Sequence, residues 1–596
     1  MGLTFTLTLT FMVERKIAFI MKFITQHMKQ LAMAAYTFAL AFTLGGCVND
    51  LTNNEHRAEN KETKETFNTK SFAGASSQME LPKTKTSGKY TDISKKQDGS
   101  KMGIQFYWDH DDYQRLWVNL GGTTGWQRFN KQDTLKLLGN GKIAQSRFYL
   151  SSYYKLTEEQ YPLWYSYYGI SSGQPYTGIP YSYAQAKAND FSKLYEQGDC
   201  GFATAVDNGI WYKFSLQHAT SYITFMPYAG EAKSKEALLN CKLTHITLTT
   251  DECNYGTFYF DEHGNLDESK RPSASRQTRM LYCVDSYNYT GFSVPGSKED
   301  AKKNAAVMVM PPGTYHNVEI TYTLYDPVVQ TTGVFKKYIP KLTLNPGKST
   351  SIFSKLEADD FTPKFGLYHM WGATLHFWEN HESAAHHNWR KGGVDGVVGA
   401  PQSGGRYYSS HIASGSNNIA PSGTIDHNAP SANFISYYVK YGDPRWDDSP
   451  FTYDGHLFTG RMWFLKRRFF AKEAGYNESN MDYFMNEKNA SGYDFRKQPG
   501  AIGSYSNRWS DVPKEKQGNY FYAMALGYYD EGGRLFMDAN YIGRFWTSTS
   551  VPIAHYSPGA FYLEIRSNYV SVQGVDDYRH KPNFKGHGYQ EWPGEN

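Results

Sequence analysis

Short runs of alternating apolar and polar residues recur from Gly103 to about residue 357, separated by Gly, Asn, Asp or Pro. Alternation with a period of two is the pattern of a strand with one buried face, and turn residues mark its ends. Tyr, Phe and Trp, which fit a pleated, half-buried surface, make up 16% of the 596 residues. The sequence therefore predicts a mainly β fold whose strands are spaced as in β-sandwiches. The first strands are expected within residues 103–109, 114–120, 146–152 and 163–169.

The sequence of residues 211–357 predicts individual strands and the turns between them. Residues 211–228 contain two alternating runs, which break at Gln217-His218. Further strands are expected at 241–250 and 256–266, the latter ending in a turn at Gly264, where positive φ is available. The remaining segments, 305–326 and 336–357, each predict a strand, a Pro- and Gly-containing turn and a second strand.

The order of motifs in this region resembles a known family. F-x-L-x-H-A-x-x-x-I-x-F, L-x-x-I-T-L, G-T-F-x-F-x-x-x-G, M-P-P-G-T and L-x-L-x-P-G-K-S follow one another between Phe214 and Ser349. The pattern resembles the fimbrillin family of Bacteroidetes, pilin and pilin-like lipoproteins with two β-sandwich domains. The resemblance implies an N-terminal sandwich over 99–268 and a smaller one over 269–357. It also implies assembly by strand exchange, in which a protease removes an N-terminal strand, with Arg57 as the candidate cut site, and another subunit's strand replaces it.

An apolar run without charge, residues 31–44, follows Lys22 and Lys29 near the start of the chain. It has about 14 residues, fewer than the roughly 20 that span a bilayer, and it is typical of a secretion signal. The following Gly46-Cys47 completes a motif that resembles the lipobox of bacterial lipoproteins. This implies a signal peptide over 1–46 (translation starting at Met1, Met12 or Met21), cleavage between Gly46 and Cys47, and a lipid on Cys47. The alternative is an ordinary secreted protein with a chance Cys.

Residues 47–98 are rich in Asn, Lys, Thr, Ser and Glu and predict a flexible tether. A net charge of +4 on 596 residues gives no support to a nucleic-acid partner. Four cysteines remain after Cys47, and they leave room for one or two disulfides without requiring any: Cys200, Cys241, Cys253 and Cys283.

The last segment, residues 358–596, holds 8 of the 13 Trp. Its motif G-x-F-W-T-S-T-S, from Gly543, is followed by A-F-Y-L-E-I-x-x-x-x-V-S-V, an alternating hairpin turned at Ser567-Asn568. These motifs resemble the FISUMP-type domains of secreted bacterial proteins, which look like variants of the C-type-lectin fold. The resemblance implies an α+β lectin-like head over 358–596, although the Cys that usually stands in the family's last strand is missing here.

Three kinds of binding site are considered in this segment. Trp446 and Trp509, in polar, loop-like surroundings, are the candidate aromatic platforms for a ligand. An oxygen-rich loop contains Asp447 and Asp448, with Asp443 and Asp454, and a Ca²⁺ site in this loop stays an open alternative. Five histidines invite a metal interpretation, but the spacing His381 to His386 is one residue too long for a helical zinc pair. The sequence thus predicts no metal and no other cofactor, Ca²⁺ excepted. The histidines are His369, His376, His381, His386 and His387.

Together these features predict a fimbrial subunit at the cell outer membrane, not an enzyme. A large domain after the sandwiches would obstruct donation of a C-terminal strand, which favours a tip adhesin. The expected partners are other fimbrillin subunits, the membrane through Cys47, and a host or bacterial glycan or protein. The alternatives are a stand-alone, lipid-anchored glycan-binding protein and a secreted glycan hydrolase.

Overall fold

The structure is a computed structural model of the whole chain. The described residues all belong to one compact unit, Thr66–Asn596. They are residues 70–74, 87–91, 103–137, 141, 143–273, 275–284, 291–361, 368–380, 403–407, 418–506, 512–529, 535–536, 541–552, 559–574, 589–590 and 592–595. The predicted signal peptide, Gly46, Cys47 and Arg57 lie outside them.

The chain is mainly β, as its sequence predicts. The described strands up to residue 360 are β1 (Phe72–Gly74), β2 (Ser87–Thr91), β3 (Gly103–Tyr107), β4 (Leu116–Asn119), β5 (Trp126–Arg128), β6 (Lys131–Leu137), β7 (Ile143–Tyr149), β8 (Gln160–Ser166), β9 (Ile170–Ser171), β10 (Gln174–Ile179), β11 (Ser182–Gln185), β12 (Cys200–Asp207), β13 (Tyr212–Phe214), β14 (Gln217–His218), β15 (Ser221–Ala229), β16 (Lys242–Thr249), β17 (Gly256–Tyr259), β18 (Thr278–Cys283), β19 (Phe292–Ser293), β20 (Ala306–Met310), β21 (Gly313–Asp326), β22 (Thr331–Leu344), β23 (Ser349–Leu356) and β24 (Asp359–Asp360).

The described strands that follow are β25 (Tyr368–His369), β26 (Arg445–Asp447), β27 (Phe451–Tyr453), β28 (His456–Phe458), β29 (Arg461–Leu465), β30 (Gly500–Tyr505), β31 (Tyr520–Met524), β32 (Tyr528–Tyr529), β33 (Leu535–Phe536), β34 (Ile542–Ser550), β35 (Ala560–Arg566), β36 (Tyr569–Gly574) and β37 (Tyr589–Gln590). The described α-helices are α1 (Lys235–Asn240), α2 (Lys298–Ala301), α3 (Ala432–Tyr441), α4 (Arg467–Phe470) and α5 (Glu478–Glu487).

The first sheet has the strand order β5-β4-β8-β12-β13-β1-β7-β6, with β14 paired to β12. Its apolar face encloses an aromatic core that includes Phe72, Phe148 and Tyr212. The alternating runs predicted at 103–109, 114–120, 146–152 and 163–169 are confirmed as β3, β4, β7 and β8. The predicted turn at Gly264 is confirmed too: its φ is +77°, and a Cβ there would lie 2.0 Å from the ring of Phe202.

The next two sheets have the orders β11-β18-β16-β21-β22 and β20-β15-β23, and they face each other across one apolar core. Here the strands do not divide at residue 268, where the sequence analysis puts a domain boundary. β16 pairs with β18 and β21, and β15 pairs with β20 and β23, so strands from both sides of that boundary share sheets. The change from the first sheet to the next core occurs within residues 211–228. β13 and β14 pair with β12 of the first sheet, whereas β15 belongs to the next core.

The predicted tether, 47–98, also needs a correction. Among its described residues, Phe72–Gly74 and Ser87–Thr91 are strands, the second of which pairs with β3. β1 forms in a stretch poor in apolar residues because the side chain of Phe72 is buried and both edges of β1 find partner strands.

The C-terminal segment is built around the sheet β25-β37-β34-β35-β36-β30 and the smaller sheet β26-β29-β31, with α3 packed on the larger one. The hairpin predicted at 560–575 is confirmed, and Ser567-Asn568 connects β35 to β36.

A buried carboxylate, Asp326, joins this segment to the sandwich strands. It accepts hydrogen bonds from His456 Nδ1 at 3.1 Å and from the backbone N–H of Leu457 at 3.0 Å. Leu457 itself lies in the core between the two preceding sheets. Burial alone would raise the pKa of Asp326, but the hydrogen bonds from His456 and Leu457 outweigh burial and hold this pKa below its ordinary value.

Candidate functional site: a strand slot and a cavity

The first candidate site is the β1 slot, the space between β7 and β13 that β1 fills. β1 runs antiparallel to β7 and parallel to β13, so three residues have a strand on each side. One more main-chain hydrogen bond precedes β1: the N–H of Tyr212 donates to the carbonyl of Ser71 at 2.9 Å. Without β1, both neighbours would present unpaired main-chain groups, the feature that makes an open edge accept another strand.

Phe72 fastens β1 in this slot. Its side chain is fully buried, and its ring lies 4.8 Å from that of Tyr212, nearly parallel, and 5.0 Å from that of Phe129, edge to face. Burial of this cluster also raises the pKa of Tyr212 to about 12. A fully buried aromatic side chain contributes about 1.5–3 kcal/mol by removal from water alone, so one residue supplies much of the binding energy of β1.

Gly74 limits which residues the slot accepts. A Cβ at this position would lie 2.9 Å from the ring of Trp108, closer than real Cβ atoms approach, and 3.0 Å from that of Phe214. The slot therefore takes a large apolar side chain at the position of Phe72 and no side chain two residues later.

Lys70 lies at the entrance of the slot. Its ammonium group forms an ion pair with Asp207, and this hydrogen bond holds the pKa of Asp207 below its ordinary value. Both side chains are partly exposed, so the pair orients the chain at the entrance more than it stabilises the fold.

The second candidate site is the α3 cavity, a space of about 540 Å³ beside α3. This volume is within the usual range of small-molecule sites. The residues that carry its chemistry are His369, Asn428, Arg467, Trp546, Trp592 and Glu595.

A buried His–Asp pair lies at this cavity. His369 Nε2 is 2.7 Å from Asp426 Oδ1, while the other oxygen of Asp426 accepts the N–H of Gly372 at 2.6 Å. Because a carboxylate oxygen accepts, Nε2 carries a proton and donates it to Asp426. His369 Nδ1 is buried, and it has no hydrogen-bond partner within the described part of the chain.

The segment Trp592–Glu595 forms another wall. Glu595 accepts a hydrogen bond from Tyr438 OH at 2.5 Å and one from the N–H of Arg467 at 2.6 Å. Trp592 packs against Tyr438 and Phe521, with ring centroids 5.7 Å and 5.3 Å apart. Arg467 and Glu595 also bring opposite charges to the same wall, where they offset each other.

The structure places the sequence-predicted site residues elsewhere. Trp446 belongs to β26 and is only 1% exposed, so its ring faces the core and offers no platform to a ligand. Asp448 accepts a hydrogen bond from the indole of Trp446. Asp447 accepts hydrogen bonds from Arg461 at 2.7 Å and Trp463 at 3.0 Å. These groups form a hydrogen-bond network beside the buried ring of Trp446, with Asp448 itself exposed.

Trp509 and the histidines His381, His386 and His387 lie outside the described residues. Asp443 accepts hydrogen bonds from Arg445 Nε and Tyr520 OH, each at 2.7 Å. Across the described ranges, no cluster of His, Cys, Asp and Glu has a metal-binding arrangement. Cys200, Cys241, Cys253 and Cys283 are free and buried. No helix in the described part of the chain is long and apolar enough to cross a membrane.

Comparison with known proteins gives similarity to solved structures alone: no protein-family model and no curated protein matches the chain. Two of the similar crystal structures are of proteins titled "putative cell adhesion protein". The one from Bacteroides ovatus is 13% identical over 49% of this chain and 93% of its own, with a TM-score of 0.27. The one from Bacteroides uniformis is 8% identical over 49% and 94%, also with a TM-score of 0.27. A fimbrial assembly protein from Parabacteroides distasonis is 12% identical over 40% and 80%, with a TM-score of 0.19. TM-scores of this size support no conclusion about this chain.

Proposed function

We propose that this chain is a surface-exposed fimbrial subunit of the fimbrillin type, which accepts a strand from a neighbouring subunit in the β1 slot. The observation that carries the proposal is β1 itself, a three-residue strand from a segment preceding the sandwiches that lies in the middle of the first sheet. β7 has seven residues and β1 pairs with three of them, so a longer donor strand would form more main-chain bonds. Main-chain bonds supply affinity in such strand addition, and side-chain pockets supply specificity.

We assign the subunit to the tip of the filament. The last described strand, β37, is already paired with β25 and β34, and Gln590 is buried, donating to the carbonyls of Met524 and Gly527. Donating this strand to a neighbour would break the sheet to which it belongs. A subunit that accepts a strand and donates none ends a filament, and the segment 358–596 is then the ligand-binding head, in which we retain the lectin-like assignment.

The proposal includes the anchor and the maturation step. A lipid on Cys47 holds the precursor at the outer membrane, and cleavage near Arg57 releases the chain from this anchor. β1 follows the cut and stays attached to the mature chain, so a donor strand enters the slot by displacing it. No enzymatic activity is proposed, since Glu595 is the one carboxylate among the described residues that line the α3 cavity, and it already bonds Tyr438 and Arg467.

Immunogold labelling of surface filaments from the native bacterium, with antibodies against residues 358–596, tests the assignment. Label at the filament ends is the expected result. Label along the whole filament would overturn the tip position while keeping the fimbrial role. Label on the cell body alone would overturn both and favour the second candidate, a stand-alone lipid-anchored glycan-binding protein, which the α3 cavity supports.

A further inference from the structure

Trp108 lies in line with β1 along one edge of β7. β7 has β6 on one side and β1 on the other, and Leu137 of β6 is the partner of Ile143 on the first side. Trp108 forms an antiparallel bridge with the same Ile143, and its N–H donates to the Ile143 carbonyl at 3.1 Å. The bridge must therefore use the other side of β7, the side on which β1 lies.

The register of β1 shows what Trp108 excludes. Gly74 lies opposite Ser146, so a strand that continues in this register reaches Ile143 three residues later. Trp108 already pairs at that place. The slot thus has room for β1 and two further residues, and a donor strand that pairs along the whole of β7 has to displace Trp108.

The Trp108 side chain closes the same end of the slot. It is buried, and its ring centroid lies 5.1 Å from that of Phe148 on β7 and 6.1 Å from that of Phe214 on β13, so it packs against both strands that flank β1. Displacing Trp108 therefore exposes a large aromatic ring and also breaks a main-chain hydrogen bond.

Neighbouring residues hold Trp108 in this position. Phe106, two residues earlier on β3, packs against His218 of β14 with ring centroids 4.1 Å apart. Asp109, the next residue along the chain, donates its N–H to the Asp112 carboxylate at 2.7 Å. Because the chain is fixed on both sides, Trp108 resists a strand that competes weakly for its place.

We propose that Trp108 is a latch that determines which strand the slot retains. A strand that ends near the position of Gly74 leaves Trp108 in place, as β1 does. A donor that pairs along the whole of β7 takes the place of Trp108 opposite Ile143 and gains main-chain bonds that β1 lacks. Such a donor has an aromatic residue at the position of Phe72, followed by at least five residues that favour a strand. This inference rests on the proposed strand exchange and adds the length and sequence class of the donor.

The test compares two synthetic peptides on the full chain with Phe72→Ala, which weakens β1. One peptide is Lys-Ser-Phe-Ala-Gly, and the other is the same sequence extended by Thr-Val-Thr-Val. Hydrogen exchange of the Trp108 N–H, measured by mass spectrometry of the fragment 103–110, reports the state of the latch. Both peptides are expected to bind. The short one should leave this N–H protected, and the long one should make it exchange about tenfold faster or more.

A matched pair of variants tests the role of the ring. Trp108→Phe reduces the buried ring and is expected to raise the affinity for the long peptide about fivefold, with little change for the short one. Trp164→Phe, the same change at a buried Trp of β8, should leave both affinities unchanged. Equal effects of the two variants on the long peptide would overturn the latch.

Wild-type chains provide a second measurement, which does not depend on the folding of Phe72→Ala. The fragment 103–110 is expected to exchange faster in chains isolated within filaments than in the free chain. Peptide binding or filament incorporation with the Trp108 N–H still protected would overturn the latch and leave the strand exchange standing. If neither peptide binds and the chain is absent from filaments, the proposed exchange is wrong and the latch with it.

Discussion

The β1 slot and the α3 cavity are both lined by aromatic side chains, but the slot holds a strand, whereas the cavity also has polar side chains in its wall. In the slot, aromatic rings surround a residue of the chain itself, and main-chain pairing on both sides completes the fit. In the cavity, aromatic rings stand beside His369 Nδ1 and the amide of Asn428, for which the described residues provide no hydrogen bond. A site that holds a strand gains from apolar burial and steric restriction, whereas a site that selects a small ligand gains from a few unpaired polar atoms.

The largest effect is expected in the slot. Phe72→Ala removes a fully buried aromatic ring and should lower the free energy of unfolding of the first sheet by about 3–5 kcal/mol. Chemical denaturation followed by near-ultraviolet circular dichroism measures this change. Tyr153→Ala, at an aromatic residue that is 85% exposed, is the control and should change the free energy by less than about 0.5 kcal/mol. Equal effects of the two variants would show that Phe72 does not hold β1.

A smaller effect is expected at the joint between the two regions. Asp326→Asn keeps the shape of the side chain but places an amide where the carboxylate accepts from His456, Leu457 and the N–H of Val328. We expect a loss of about 2 kcal/mol, the range of a hydrogen bond to a charged group. Asp359→Asn, at a carboxylate whose nearest ion-pair approach is 3.9 Å and which is mostly exposed, is the matched control. If Asp326→Asn and Asp359→Asn have the same free energy of unfolding, the charge of Asp326 does not stabilise the contact between the two regions, and the prediction is wrong.

Lowering the pH should remove the stabilisation that the Asp326 carboxylate provides. The pKa of Asp326 is lower in the folded protein than its ordinary value of about 3.9. Its stabilising effect is therefore fully present above pH 3.9 and disappears as the pH falls through the lowered pKa. The difference in unfolding free energy between the wild type and Asp326→Asn should narrow towards zero over that acidic interval. A difference that stays constant down to pH 2 would contradict the assignment.

The smallest effect on stability is expected at the cavity. Asn428→Trp changes an exposed side chain without a hydrogen bond in the described residues, so the free energy of unfolding should stay within about 0.5 kcal/mol of the wild type. Thermal unfolding measures it beside Phe72→Ala. A large decrease in the free energy of unfolding of Asn428→Trp would show that the cavity supports the fold as the β1 slot does, and would contradict the comparison.

Sequence reasoning found the parts of the fold with local patterns. The alternation over 560–575 predicts β35, β36 and their turn, and the runs at 241–250 and 305–326 predict β16, β20 and β21. β1 has no such pattern, because one Phe in a polar stretch is significant only when strands distant in sequence form a pocket around it.

The candidate site residues show the same limit. Trp446 has polar neighbours typical of a loop, yet Asp447 and Asp448 are engaged by side chains around a buried strand. His369 and Asp426 are 57 positions apart, and neither has a spacing that predicts their pairing. Both cases depend on contacts that arise only from the tertiary fold.

The central claim, that β1 is exchanged for a strand of another subunit, is tested most directly by locking β1 in place. Ala73 lies opposite Arg147 on β7, so Ala73→Cys with Arg147→Cys positions two thiols on neighbouring antiparallel strands, where a disulfide forms at an oxidising cell surface. The account predicts that the double variant reaches the surface but is absent from filaments, and that a reductant restores its incorporation, while Ala73→Cys alone incorporates normally. Incorporation of the oxidised double variant at the wild-type level would contradict it.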